Sequence, residues 1–256
     1  MFAEEFSSIT NAAKAKCDFF KKNPSGYFVA SMLAGLYVGL GIALIFNVGG
    51  LLSGQPHAKI IMGISFGIAL SLVIMAGSEL FTGNNLVLTA GAMSGMIKWS
   101  QVFKLWIVCY IGNWIGSIIM ALLFYAAGFA QGPTGEFIAS ASAAKMSIPF
   151  IPLFLRGLLC NILVCLAVWC SFKCKSESGK LIIIFWCLYA FITSGYEHSI
   201  ANMTLLTISL LAPFESAVSF SGYMYNILTV SLGNMAGGIL FVAIPYLPCN
   251  KSRPSM

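Results

Sequence analysis

Six apolar stretches follow one another along the chain, and polar residues cut into two of them. The pattern predicts helices at about 27–48, 60–96, 105–128, 151–171, 181–211 and 223–246. Each reaches the roughly 20 residues a membrane crossing needs, and the second and fifth carry an extra half-helix. In the second run, Ser78-Glu79-Leu80-Phe81-Thr82-Gly83-Asn84-Asn85 separates apolar segments on either side. In the fifth, Gly195-Tyr196-Glu197-His198-Ser199-Ile200-Ala201-Asn202-Met203 does the same. Irregular backbone at membrane depth is tolerated only inside protein or beside a water-filled cavity. A carboxylate there costs about 2.5–3.5 kcal/mol on insertion scales. Both interruptions are therefore expected in the interior, beside a polar path.

The two interruptions are related. Glu79 and Glu197 stand 118 positions apart, as do Asn84 and Asn202. Gly112-Asn113-Trp114-Ile115-Gly116 recurs 121 positions on as Gly233-Asn234-Met235-Ala236-Gly237, and Ala34-Gly35-Leu36 matches Arg156-Gly157-Leu158 at 122. Near-constant offsets indicate an internal repeat. Three spans per half is an odd number, so the second half enters from the opposite face and the repeat is inverted. Interrupted hydrophobic segments at matching places in two halves point to a transport site at the repeat interface. The expected fold is an all-α integral membrane protein of six helices in two inverted repeats, 27–128 and 151–246, with the second and fifth helices broken. One membrane domain, 1–256, then includes an amphipathic surface helix at 2–22 and a cytoplasmic tail at 247–256.

Charge sets the orientation. Lys14, Lys16, Lys21, Lys22, Lys98, Lys104, Lys173, Lys175, Lys180, Lys251 and Arg253 fall on one side of the predicted spans, and only Lys59 and Lys145 on the other. The basic side is cytoplasmic, which puts both termini there. The net charge of +6 is thus a topology signal, and nucleic acid is not needed to explain it. Phe2, Phe6, Ile9, Ala13, Cys17 and Phe20 recur at helical spacing ahead of the first span, with lysines round the rest of the helix. Met1 to Asn23 lacks the apolar stretch of a cleavable signal. Composition agrees: 59% hydrophobic, 9% charged and a mean hydropathy of +0.89 describe a membrane protein surrounded by lipid. The eight cysteines include no CxxC pair and read as small apolar filler, so no metal is indicated.

Few residues could carry chemistry. His57 falls in a short loop beside Pro56, whereas His198 lies in the second interruption beside Glu197. An imidazole there can donate or withhold a proton near neutral pH. Thr82 offers a hydroxyl from the first interruption, and Asn161, four residues after Gly157, an amide. Leu80, Phe81, Phe66 and Phe191 are bulky residues near the interruptions, and hydrophobic constrictions gate by excluding water. Lys145, in the predicted 129–149 loop, could draw anions into a vestibule. A bis-histidine haem subunit needs a second membrane histidine. An intramembrane serine protease, the remote alternative, needs a serine beside His198, yet the nearest glycine-serine element, Gly91-Ala92-Met93-Ser94-Gly95, lies towards the other end of its helix. A water or glycerol channel on such a repeat would carry Asn-Pro-Ala in both breaks, and neither contains proline. Transport, not catalysis, is the expected activity, with a channel for a small neutral solute as the alternative.

The stretch Ile74-Met75-Ala76-Gly77-Ser78-Glu79-Leu80-Phe81-Thr82-Gly83, the second interruption, Leu33–Gly41, Cys160-Asn161 and both Gly-Asn-x-x-Gly elements together resemble the formate/nitrite transporter family. The resemblance spans essentially the whole chain. It implies an aquaporin-like protomer, assembled as a homopentamer with one pore per subunit, in the inner membrane of a prokaryote. It implies passage of small monovalent weak-acid anions, namely formate, nitrite or hydrosulfide, without a cofactor and with a proton possibility at the central histidine. By position it implies Thr82 and His198 at the central site, with Glu197 and Asn161 supporting, and Lys145 in the vestibule. Leu80 and Phe81 fall where the family builds one constriction, and Phe66 and Phe191 another. Gly83, Asn84, Asn85, Gly195 and Asn202 mark the broken helices. The N-terminal helix is similar to one that moves to gate the cytoplasmic side. Tyr37–Gly41 and Gly195–Met203 look closest to the nitrite branch.

Overall fold

A computed structural model describes residues 2–250. Lys251 and Arg253, counted above for orientation, and the end of the 247–256 tail lie outside the described residues. Helices make up most of the described residues: α1 (Ala3–Lys22), α2 (Pro24–Leu51), α3 (Ala58–Gly77), α4 (Phe81–Met93), α5 (Trp99–Ala126), α6 (Gly132–Met146), α7 (Phe150–Lys173), α8 (Glu177–Ser194), α9 (Ser199–Leu211) and α10 (Phe220–Cys249). Six of these, α2, α3, α5, α7, α8 and α10, are long and apolar enough to cross a membrane. Their outward faces carry exposed large side chains such as Ile60, Ile64, Ile107, Ile111, Leu228 and Leu232. So wide an apolar surface calls for lipid or neighbouring subunits to cover it.

Glycines set how closely the spans approach. A Cβ on Gly116 would overlap the Met32 carbonyl, and one on Gly35 the Asn113 carbonyl, so α2 and α5 pack backbone to backbone. The seam between α7 and α10 repeats this: Cβ atoms on Gly233 and Gly237 would overlap the Phe154 and Leu158 carbonyls. Small residues at four-residue spacing are how membrane helices come this near.

Three expectations need correction. First, the interruptions are shorter than the polar runs. Only Ser78–Leu80 and Gly195–His198 are non-helical, and Gly83, Asn84, Asn85 and Asn202 lie at the starts of α4 and α9. Their polarity marks a helix start, where side chains fold back onto the break, and not the break itself. Second, residues 129–149 are not a loop, since α6 occupies most of them. Pro133 sits in its first turn, alanine dominates its second half, and Ile138, Ala139, Ser142 and Met146 turn one face inward. Third, α5 starts at Trp99 and not near 105, because Gln101 Oε1 accepts the Lys98 N–H at 2.9 Å and closes the helix end. The N-terminal helix also lies on protein as well as at a surface: Phe6, Ile9, Ala13 and Cys17 are buried, with Ala13 against Gly91 of α4.

Candidate functional site

Both breaks are built by one recipe. Each full helix ends near a glycine in the left-handed region, Gly77 at φ +79 and Gly195 at φ +76. An L side chain is strained there, so glycine is what lets the chain turn. The next N–H groups are taken by neighbouring helices. Glu79 N–H donates to the Ala30 carbonyl at 3.1 Å, and Glu197 N–H to the Arg156 carbonyl at 3.2 Å. The asparagines of the two Gly-Asn-x-x-Gly elements clamp what remains. Asn113 Oδ1 accepts the Phe81 N–H at 2.9 Å, while its Nδ2 donates to the Glu79 and Ser31 carbonyls at 2.8 and 2.7 Å. Asn234 Oδ1 accepts the Ser199 N–H at 2.9 Å, and its Nδ2 donates to the Glu197 and Gly157 carbonyls at 3.0 and 2.7 Å. Much of the irregular backbone is thus bonded away from water. In the sequence these elements mark the repeat, and the amide in the same register of both is the signal for the clamp.

The two carboxylates are compensated in the same manner. Lys16 of α1 donates to both Glu79 oxygens at 2.7 Å, and Asn84 Nδ2 adds a bond of 3.0 Å. Lys145 of α6 donates to both Glu197 oxygens at 2.7 Å, and Asn202 Nδ2 adds one of 2.7 Å. α1 and α6 therefore do the same work in the two halves: each brings one lysine to the acid of one break. A buried carboxylate persists only when paired and hydrogen-bonded in this way. Lys16 went unnoticed as a site residue because nothing in its local pattern separates it from its neighbouring lysines.

The symmetry fails at the residue before each half-helix. Leu80 and His198, again 118 apart, both stand immediately before a half-helix in extended conformation. His198 Nδ1 accepts the Ala201 N–H at 3.1 Å and so caps α9, which leucine cannot do for α4. An N–H can only donate, so Nδ1 carries no proton and Nε2 holds the ring hydrogen. Nε2 lies 3.0 Å from Thr82 Oγ1 on α4 and donates to it. Asn161 Nδ2 donates to the Thr82 carbonyl at 3.2 Å and to the Asn234 carbonyl at 2.7 Å. Its Oδ1, like both side-chain atoms of Asn85, is buried with no partner.

Three cavities are joined through shared lining residues. One on the α6 face, of about 440 Å3, reaches Lys145, Glu197, Phe191 and His198. One on the α1 face, of about 290 Å3, reaches Lys16, Asn84, Leu70 and Leu80. Between them a chamber of about 10 Å3 is lined by Phe66, Phe191, His198, Leu70 and Leu80, room for about one water. Phe191 and His198 are shared with the α6-face cavity, and Leu70 and Leu80 with the α1-face cavity. His198 thus lines a small chamber closed by bulky apolar side chains at both ends, and Thr82 lies behind it at 3.0 Å, outside the lining.

The pattern described as formate/nitrite transporter matches residues 3–247. The chain belongs to that family. It is 42% identical over 248 residues to the nitrite transporter NirC of Salmonella typhimurium, covering 96% of this chain and 91% of the relative. A solved FNT family ion channel matches with a TM-score of 0.93 and 40% identity, over 98% of this chain and 100% of that one. A pentameric formate channel with formate bound matches with a TM-score of 0.80 and 31% identity, over 90% and 98%.

Within this formate/nitrite transporter fold, Thr82, His198 and Asn161 come together as a cluster, with Glu197 one position before the histidine and bonded away from it. Phe66 and Phe191 meet edge to face at 5.5 Å, and Phe191 stacks on His198 at 6.1 Å. Phe81 does not join Leu80. Its ring packs on Tyr110 at 4.9 Å and lines none of the three cavities, because the residue after Leu80 points to the other side of the α4 start. Leu70 stands at the chamber instead. It was hidden in the sequence by the apolar run around it.

Proposed function

We propose that this chain conducts small monovalent anions of weak acids, nitrite foremost and formate or hydrosulfide beside it. It does so across the inner membrane of a prokaryote, as a homopentamer with a path through each protomer and both termini in the cytoplasm. The reading draws on likeness to a nitrite transporter and to a pentameric formate channel. The observation that carries it is the 3.0 Å contact of Thr82 and His198 beside the chamber between two cavities. An anion entering the chamber loses water, a cost of several kcal/mol that apolar walls cannot offset. The Nε2–H and the Thr82 hydroxyl are the donors that replace it.

Proton coupling runs through a second ring proton. It enters at Nδ1 when the Ala201 cap opens, making an imidazolium. The anion then takes the Nε2 proton and leaves as the neutral acid; the next proton binds Nε2, and the one on Nδ1 leaves as the Ala201 cap re-forms, which restores the resting tautomer. Glu197 is held by Lys145 and Asn202 and takes no part in the transfer. Initial uptake into liposomes, for nitrite and formate against glycerol, tests the reading. Rapid anion entry with glycerol excluded is expected. Glycerol entry without anion entry would leave the neutral-solute channel as the correct account.

A further inference from the structure

Charge is distributed unequally between the two mouths. The α1-face cavity is lined by Lys16 and Lys180, and each has a carboxylate partner, Glu79 at 2.7 Å and Glu177 at 3.1 Å. The α6-face cavity is lined by Lys59, Lys145 and Arg156 against one carboxylate, Glu197. Lys145 and Glu197 cancel each other at 2.7 Å. Among the described residues, neither Lys59 nor Arg156 has an ion-pair partner. Both belong to the second break. Lys59 Nζ stands 2.7 Å from where a Cβ on Gly195 would lie, over the turn that ends α8. Arg156 gives its carbonyl to the Glu197 N–H, and the residue lines the same cavity as His198. The end of α8 offsets about half a charge at most. The mouth stays positive.

We propose that Lys59 and Arg156 form an anion-capture site at this mouth, one step ahead of His198, selective for planar monoanions with two oxygens such as formate and nitrite. Lys145, the lysine expected from the sequence to collect anions, holds Glu197 instead. A guanidinium presents parallel N–H groups that match two oxygens at once, and an ammonium adds a point charge. Hydrosulfide has no second oxygen, so the site gives it charge without the fork. The inference rests on the anion-channel reading, and its test separates the two.

Two readouts on the purified full-length protein decide it. Line broadening of 13C-formate in detergent at about 0.01 M ionic strength, where the screening length is about 30 Å, reads capture without passage. Initial uptake into liposomes reads passage. The double variant Lys59→Gln/Arg156→Gln loses the broadening, and its formate and nitrite uptake falls roughly tenfold, the lower end of electrostatic focusing in a cleft. The uptake deficit closes at about 1 M salt, where the screening length is about 3 Å. Arg156→Lys keeps the charge, so it preserves hydrosulfide uptake while formate broadening and uptake fall. Wild-type broadening with no uptake sustains the capture site and sinks the proposed channel. Equal broadening in wild type and double variant, or none in wild type, overturns the capture site whatever the uptake. An equal loss of all three anions in Arg156→Lys overturns its selectivity.

Discussion

At the scale of single residues, His198 does two jobs that separate on substitution. Nδ1 caps α9 through Ala201, and Nε2–H faces Thr82. Asparagine is among the preferred N-caps and carries an amide N–H, so His198→Asn keeps both contacts in outline. Phenylalanine keeps neither, and loss of a cap costs about 1 kcal/mol. The Asn variant is expected to assemble and retain part of the nitrite uptake. The Phe variant is expected to assemble with lower thermal stability and no uptake. Wild-type uptake should rise as pH falls from 8 into the acid range, because a second ring proton adds positive charge where the anion dehydrates. The Asn variant should be flat over that range. If it keeps the wild-type slope, the titrating group lies elsewhere and His198 acts only as cap and donor. Thr82 and His198 were legible in the sequence because polar side chains inside apolar runs stand out. Lys16, Asn113 and Asn234 were not, since each acts on a break many positions away.

Elements repeat the lesson at larger size. The two breaks and the six long helices could be read from apolar runs, because membrane spans need length and composition more than particular residues. Break limits could not, since a polar half-helix start looks the same as a polar loop until its bonds are known. α6 escaped because alanine and serine carry little hydropathy contrast, although they favour or tolerate helix. The glycine seams follow a rule that sequence can state and structure can grade. Gly116→Ala drives a methyl into the Met32 carbonyl, a backbone atom held in a helix. Gly83→Ala meets only Val168 Cγ2 at 3.4 Å, an ordinary contact. The first is expected to cost about 1–3 kcal/mol as overpacking, and the second to gain up to about 1 kcal/mol of helix propensity. Thermal unfolding in detergent should then rank Gly83→Ala at or above wild type and Gly116→Ala below it. Equal midpoints for the two would mean that α2 and α5 can part without loss.

For the whole molecule, the question is which sign of charge the path admits. A net charge of +6 does not decide it, because most of the basic residues lie away from the cavities. Polarity along the path is more informative. Both acids near it, Glu79 and Glu197, have lysines at 2.7 Å and amides on the same oxygens, which leaves no bare carboxylate to hold a cation. At the chamber, the Nε2–H of His198 is a donor, and no oxygen ring faces it of the kind that strips water from a sodium ion. Lys59 and Arg156 add positive potential at one mouth. The clamps recur in opposite halves, each with its own lysine helix, so neither acid stands unpaired beside the path. We therefore expect that at pH 8, where His198 carries no second ring proton and formate crosses as the anion, planar bilayers under a sodium formate gradient reverse near the formate equilibrium potential, and that replacing sodium by a bulky cation leaves the reversal unmoved. A reversal that follows sodium would show that the carboxylates are open to the path, and the pairing of both acids by α1 and α6 would then fail as an account of selectivity.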